Sequence, residues 1–309
     1  MEAASRPRLV VVCGPTASGK TALAIALAKR LGCTIWSADS RQCYREMNMG
    51  VARPLPNELA MVPHGFVATH PVQAPVDAAR FARLGHEWIL RQHQAGKPTI
   101  VCGGTGLYLQ ALTQGLHQMP PTDPELRARL QAAYESKGLG WLQSEVQEAD
   151  PDWYAQGEVQ NPARLLRALE VKLGTGHSLI HWWSATAAPP DYDCLWLGLD
   201  LPKAVLHQRI AERTTAMLAA GLVAEAAALQ PHRHLPALNT VGYKECFAVL
   251  DGQLPGAALE AEIALRTRQY AKRQLTWFRR LPQLRWLAGN ELEPAWALVS
   301  EWLGDPQPL

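Results

Sequence analysis

The chain has 309 residues, 48% hydrophobic and 19% charged, with a net charge of +2. That length and balance supply a sizeable core and exclude a disordered chain. A nucleic-acid partner is neither required nor excluded, because that depends on whether positive charge is concentrated somewhere. The six cysteines, at 13, 33, 43, 102, 194 and 246, form no C-x-x-C pair. They read as reduced thiols of a cytoplasmic protein rather than as a zinc or redox site. The opening MEAASRPR leads into an apolar run, residues 9–13, too short for a secretory signal. Nothing nears the roughly 20 apolar residues that span a membrane.

In chain order, residues 9–13 form an apolar β-type run and 21–31 an alanine- and leucine-rich helix. Between them GPTASGKT fits G-x-x-x-x-G-K-[ST], as Gly14, Pro15, Thr16, Ala17, Ser18, Gly19, Lys20 and Thr21. Glycines there let backbone N–H groups turn inward around phosphate oxygens, and the helix N-terminus adds positive potential. Lys20 can reach the outermost phosphate and Thr21 can ligate Mg²⁺. Such loops commonly hold ATP or GTP, so the pattern predicts nucleotide or other diphosphate binding.

A second strand, TIWS at 34–37, ends at SADSRQCY, which places Asp39 at the sheet edge where open α/β sheets bind ligands. Asp39 is either a base facing the loop's ligand or a cap on a following helix. Residues 77–96 have helical spacing, with Ala78, Phe81, Leu84, Trp88 and Leu90 able to share a face. A third strand at 98–104 runs into GGTGLYL, where Thr105 offers a hydroxyl at the same edge. Strand–helix alternation argues for a parallel sheet flanked by helices.

From 118 to 190 the pattern changes to helices without β-branched runs, opened by the Asp123-Pro124 and Asn161-Pro162 start signals. This predicts an inserted all-helical domain at 118–190 within a core domain formed by 1–117 and 191–309. AAPPDYD (187–193) reads as a return linker, CLWLGLD (194–200) as a strand, and helices follow at 202–221, 221–230 and 258–281. PQPL reads as a loose tail. Residues 263–290 carry Arg266, Arg268, Lys272, Arg273, Arg279, Arg280 and Arg285 with no acid, and Tyr270, Trp277 and Phe278 interleave. Heptad spacing puts Arg266, Arg273 and Arg280 on one helix face. That composition suits an RNA backbone with splayed bases, and equally a solvated face over core aromatics. No apolar strand ends in Asp-Glu, so a hydrolysis cycle is not supported, and the HRH and HSLIH histidines read as surface or packing residues.

GPTASGKT, ADSRQCYREMNMGVARP, VCGGTGLYLQAL, DPELRARL, RLLRALEV, LHQRIAERTTAMLAAGLVAEA, TVGYKE and RQYAKRQLTWFR occur in the order found in the tRNA dimethylallyltransferases, which the chain resembles from residue 14 to about 280. The resemblance implies a P-loop NTPase-like fold whose loop holds dimethylallyl diphosphate. It implies transfer of the dimethylallyl group to N6 of the adenine 3′ to the anticodon, with Mg²⁺ as cofactor. Asp39 would be the base, with Lys20, Thr21, Thr105 and Arg213 completing the catalytic set. Matched tRNA-contact segments are Asp39, Ser40, Arg41 and Gln42; Thr105; Arg127; Ala163, Arg164, Leu165, Leu166 and Arg167; Asn239, Thr240, Val241, Gly242, Tyr243 and Lys244; and Thr267, Arg268, Gln269, Tyr270, Ala271, Lys272, Arg273 and Gln274. A monomeric protein is expected. GVARP stands where GTAKP is usual, the 63–71 stretch is shorter than usual, GHSLIHWW replaces a small-polar run, and Asn239 replaces a residue that is often basic. A small-molecule P-loop kinase, an adenylate isopentenyltransferase and a non-catalytic RNA binder remain alternatives.

Overall fold

The structure is a computed structural model that describes residues 6–117, 119–121, 123–183 and 190–304. Its elements run β1 (Arg8–Cys13), α1 (Lys20–Leu31), β2 (Thr34–Ser37), α2 (Pro56–Met61), β3 (His64–Gly65), α3 (Ala78–Gln94), β4 (Thr99–Gly103) and α4 (Gly106–Gln114). Then come α5 (Pro124–Ala149), α6 (Pro151–Gln156), α7 (Pro162–Thr175) and α8 (Leu179–Trp183). The chain returns through β5 (Asp193–Leu199), α9 (Lys203–Ala219), α10 (Leu222–Leu229), α11 (Tyr243–Leu250), α12 (Leu259–Phe278), β6 (Leu284–Leu287) and α13 (Leu292–Leu303).

All six strands are parallel, in the order β3-β2-β4-β1-β5-β6. β1 lies between β4 and β5, with Val12 opposite Cys102 and Leu197. Both faces of β1 must therefore be covered, which explains its unbroken apolar run. On one face Val10, Val12 and Ile100 meet Leu23 and Leu27 of α1 and Val299 of α13. On the other an aromatic cluster forms, with Trp36 5.2 Å from Phe66 and Phe81 stacked 4.2 Å from Tyr108. Each such ring or aliphatic chain contributes roughly 1.5–3 kcal/mol by leaving water. The fold is P-loop NTPase-like.

The described residues divide into two compact units, 6–113 with 190–304, and those between 114 and 183. The second is helical and has its own core of Leu126, Leu130, Leu142, Val146, Trp153, Leu165 and Leu169. Asp123 and Asn161 cap α5 and α7, accepting from the N–H groups of Glu125 and of Ala163 and Arg164. α5 breaks at Gly138, whose φ is 78°.

Several expectations are corrected. Ile89, not Leu90, completes the buried face of α3, and Leu90 is exposed. No helix follows Asp39, which opens a turn. α12 ends at Phe278, so Arg280 lies beyond the helix that was to align it with Arg266 and Arg273. β3, β6 and α13 were not foreseen: two are short or irregular, and the third follows a segment read only for its charge. PQPL and part of AAPPDYD lie outside the described residues. No helix among the described residues is long and apolar enough to cross a membrane.

Candidate active site

The phosphate loop leaves the carboxyl end of β1 and enters α1 at Gly19, which caps the helix in the left-handed region at φ 88°. A Cβ there would lie 2.8 Å from the Asn290 carboxamide, so residue 19 must be glycine for both reasons. Lys20 curls over the loop and donates to the Pro15 carbonyl at 3.1 Å. Arg213, on α9, donates to Thr16 Oγ1 at 3.0 Å. Burial lowers the pKa of Lys20, opposed by the nearby negative charge of Asp39. Burial likewise lowers that of Arg213, again opposed by Asp39. Two partly desolvated cations thus stand beside an amide-lined loop, a combination that favours negative charge.

Asp39 stands at the end of β2. Its Oδ1 accepts from the N–H groups of Arg41 at 2.9 Å and Gln42 at 3.3 Å. Oδ2 has no hydrogen-bond partner among the described residues, so the carboxylate is anchored through one oxygen while the other stays available. Thr105 Oγ1 accepts from the Ser40 N–H at 3.1 Å, fixing the turn that carries Asp39. Gln42 donates to the carbonyls of Val51 and Ala52, the atypical stretch of GVARP.

These groups line a cavity of about 130 Å³ that includes Thr16, Lys20, Thr21, Asp39 and Arg213. Ile210 and Met217 of α9, Ile263 of α12, and Val241 give part of its wall an apolar character. Arg41, Thr240, Val241 and Tyr270 also border a broader groove of about 890 Å³. That groove is edged by Ser40, Asn239, Lys244, Arg266, Gln269 and Arg273 and by Glu245 and Glu262, so with Arg41 its four cations outnumber its two acids. The small cavity thus has a phosphate-loop end and an apolar wall, and it shares Arg41, Thr240, Val241 and Tyr270 with the adjoining groove.

The structure brings Lys20, Thr21, Asp39 and Arg213 to one cavity and leaves Thr105 behind Asp39 as a support. Within the helical unit, Arg127, Ala163, Leu166 and Arg167 line a cleft of about 120 Å³, and Arg164 pairs with Glu158 at 3.0 Å. Four residues in the matched tRNA-contact segments have side chains withdrawn from solvent. Leu165 is fully buried in its unit's core, and Ala271 packs between α9 and α12. Tyr243 is buried and donates to Glu225 at 2.6 Å. Gln274 is buried against the phosphate loop.

The reading of seven uncompensated positives is also corrected. Arg266 pairs with Glu262 at 2.6 Å, Arg279 with Asp200 at 3.0 Å and Arg285 with Glu301 at 3.9 Å. Arg268, Lys272, Arg273 and Arg280 have no carboxylate partner among the described residues. Arg273 sits 5.8 Å over the Tyr270 ring.

Three contributors had no local signal. Arg209, one turn before Arg213, donates to the Ser18 carbonyl at 3.3 Å and to Asn290 at 3.5 Å. Asn290 comes from the β6–α13 turn. Glu225 of α10 accepts from the N–H groups of Asn48, Met49 and Gly50 and from the Tyr243 hydroxyl. It thereby fixes the loop whose next residues, Val51 and Ala52, line the cavity.

Fold and site together define a P-loop α/β protein in which Lys20, Arg213 and the anchored carboxylate of Asp39 line one cavity. A model of the IPP transferase family matches residues 42–281. The tRNA dimethylallyltransferase of Synechococcus sp. (strain JA-3-3Ab) is 42% identical over 97% of this chain and 88% of its own length. The tRNA dimethylallyltransferase 1 of Trichlorobacter lovleyi is 41% identical over 93% of this chain and 95% of its own length. The crystal structure of the Bacillus halodurans tRNA isopentenylpyrophosphate transferase aligns at TM-score 0.70 and 30% identity, covering 97% of this chain and 96% of that one. A eukaryotic dimethylallyltransferase acting on tRNA aligns at TM-score 0.80 and 24% identity, which speaks for the fold alone. The chain belongs to the IPP transferase family.

Proposed function

We propose that this enzyme transfers the dimethylallyl group of dimethylallyl diphosphate to N6 of the adenine 3′ to the anticodon in tRNA, releasing diphosphate. The observation that carries this reading is the cavity itself. A phosphate loop with two half-buried cations and an anchored Asp39 line one partly apolar space, which adjoins a groove whose cations outnumber its acids. A kinase or a free-nucleotide prenyltransferase has no use for that groove.

The chemistry follows from charge development. As the allylic C–O bond breaks, negative charge grows on the diphosphate. Lys20, Arg213 and the loop amides meet it without reorganising. The adenine N6 lone pair is delocalised into the ring, so the amine attacks well only as its proton departs. Asp39 Oδ2 is the oxygen available to take that proton while the N6–C bond forms. The adenine must leave its stack to reach the cavity, which costs a few kcal/mol. Contacts along the groove, from Arg41, Lys244 and Arg273, offset that cost.

Mg²⁺ fits the donor set in a limited way. Thr21 lines the cavity and its hydroxyl makes no hydrogen bond among the described residues, an oxygen donor of the kind Mg²⁺ prefers. No cluster of three or more His, Cys, Asp or Glu able to hold an ion occurs among them. Thr21 would hold the ion, which would supply positive charge against the leaving diphosphate.

The test is transfer of label from dimethylallyl diphosphate into tRNA, located in a nucleoside digest. Labelled N6-(dimethylallyl)adenosine is expected, and transfer of phosphate from ATP to a small acceptor would replace this reading with a kinase. Asp39→Ala should lower turnover by about 10²–10⁴ while tRNA still binds. Undiminished turnover would remove Asp39 from the role of base.

A further inference from the structure

We infer that Gln274 is a positioning residue for the transfer, joining the leaving-group side of the cavity to the base side through one carboxamide. The inference rests on the function proposed above. Gln274 is only 7% exposed. Its Oε1 accepts from the Thr16 N–H at 2.8 Å and its Nε2 donates to the Gly104 carbonyl at 2.9 Å. The orientation of the amide is forced, because a backbone N–H only donates and a carbonyl only accepts. Gly104 is shaped to this contact: a Cβ there would stand 2.3 Å from Nε2.

Each end leads directly to a group the reaction needs. Thr16 is the residue whose hydroxyl holds Arg213, so fixing its backbone fixes the guanidinium that meets the leaving diphosphate. Gly104 precedes Thr105, whose N–H donates to the Ala38 carbonyl and whose Oγ1 receives the Ser40 N–H, on either side of Asp39. One side chain therefore spans the phosphate loop and the loop that braces the base. It is donated by α12, the helix whose outer face carries Arg273. Gln274 also lines the cavity, but its Oε1 and Nε2 are engaged by Thr16 and Gly104, so its part is to hold those two residues in place. The Thr16 N–H is likewise committed to Gln274 rather than to phosphate.

Losing the tie should misalign two groups rather than weaken the hold of either on its ligand. Misplacement by about an ångström costs on the order of 100-fold in rate. Gln274→Met keeps length and bulk and removes both bonds. Its kcat should fall about 100-fold with the donor KM essentially unchanged. Gln274→Glu supplies a second, internally controlled reading. As a neutral acid it can accept from Thr16 N–H and donate to the Gly104 carbonyl; as a carboxylate it repels that carbonyl. The ratio of its kcat to wild type should rise as pH is lowered from about 8 toward 5, because burial raises a carboxyl pKa above its ordinary value of about 4.3. Recovery within the same protein excludes misfolding as the cause.

A reactive wild type with Gln274→Met unchanged, or with the loss carried by KM alone, overturns the inference, as does a Gln274→Glu ratio flat in pH. A wild type inert toward tRNA and dimethylallyl diphosphate sinks the functional reading itself, a distinct outcome.

Discussion

The loop after β1 and the helix α12 both present positive charge, and they do so by different physics. In the loop the charge is backbone amide and two half-buried cations, each braced by a named partner, Lys20 on Pro15 and Arg213 on Thr16, while Arg209 holds Ser18. On α12 the charge lies on solvated side chains, and Arg266 is already neutralised by Glu262. The first arrangement is preorganised and little screened by salt. The second is additive, adjustable and strongly screened. A buried cradle suits a small diphosphate that must be held in one geometry. A solvated face suits a long polyanion that docks through several weak contacts.

The sharpest way to break this contrast is to remove one cradle cation. Lys20→Ala should lower kcat/KM by about 10²–10³, the scale of losing one preorganised donor to developing negative charge. The loss should be nearly independent of salt, and strong salt dependence would place Lys20 in the class of the α12 charges. The pH profile carries a sign. The protonated form binds the anion, and burial lowers the Lys20 pKa below 10.5 in the free enzyme. Donor affinity should therefore fall on the alkaline side at a pH below that of an ordinary lysine. Lys20→Arg, which stays charged, should abolish that limb.

Next in size is the loop at 47–52, held by Glu225 rather than by charge on the ligand. Glu225→Ala leaves three backbone N–H groups and a buried tyrosine hydroxyl without their acceptor. About 2 kcal/mol of stability should be lost in denaturant unfolding, from the cost of unsatisfied polar groups. Donor KM should rise as well, since Val51 and Ala52 line the cavity. A variant with native stability and KM would show that the loop is held by packing alone.

How much could be read beforehand divides along the same line. GPTASGKT declared its structure because a glycine-bearing strand–helix turn is a local backbone solution, and all its essential groups lie within eight residues. Parallel strands at 9–13, 34–37 and 98–104 were legible from β-type runs at the right spacing. The braces were not. Gln274 meets Thr16 across 258 residues and Arg209 meets Asn290 across 81, and no periodicity reports which way a polar side chain turns. Charge compensation was misread for a related reason. The acid-free window began at 263, one residue after the Glu262 that pairs with Arg266, while Asp200 and Glu301 arrive from remote elements.

The smallest effects separate the paired from the unpaired cations of this face. Arg273 has no carboxylate partner among the described residues and borders the groove, so Arg273→Ala should weaken tRNA binding and flatten the slope of log K against log salt by about 0.7, one phosphate's worth on a single strand. An unchanged slope would mean that Arg273 meets no phosphate. Arg266 borders the same groove but spends its charge on Glu262, so Arg266→Ala should change the slope less than Arg273→Ala does. The decisive comparison is Glu262→Gln. Removing the acid frees Arg266 for the ligand, and tRNA affinity should rise with a steeper slope, even though an ion pair visible in the structure has been lost. If Glu262→Gln leaves affinity and slope at wild-type values, Arg266 does not reach the polyanion, and the additive picture of the face contracts to the arginines and lysines beyond it.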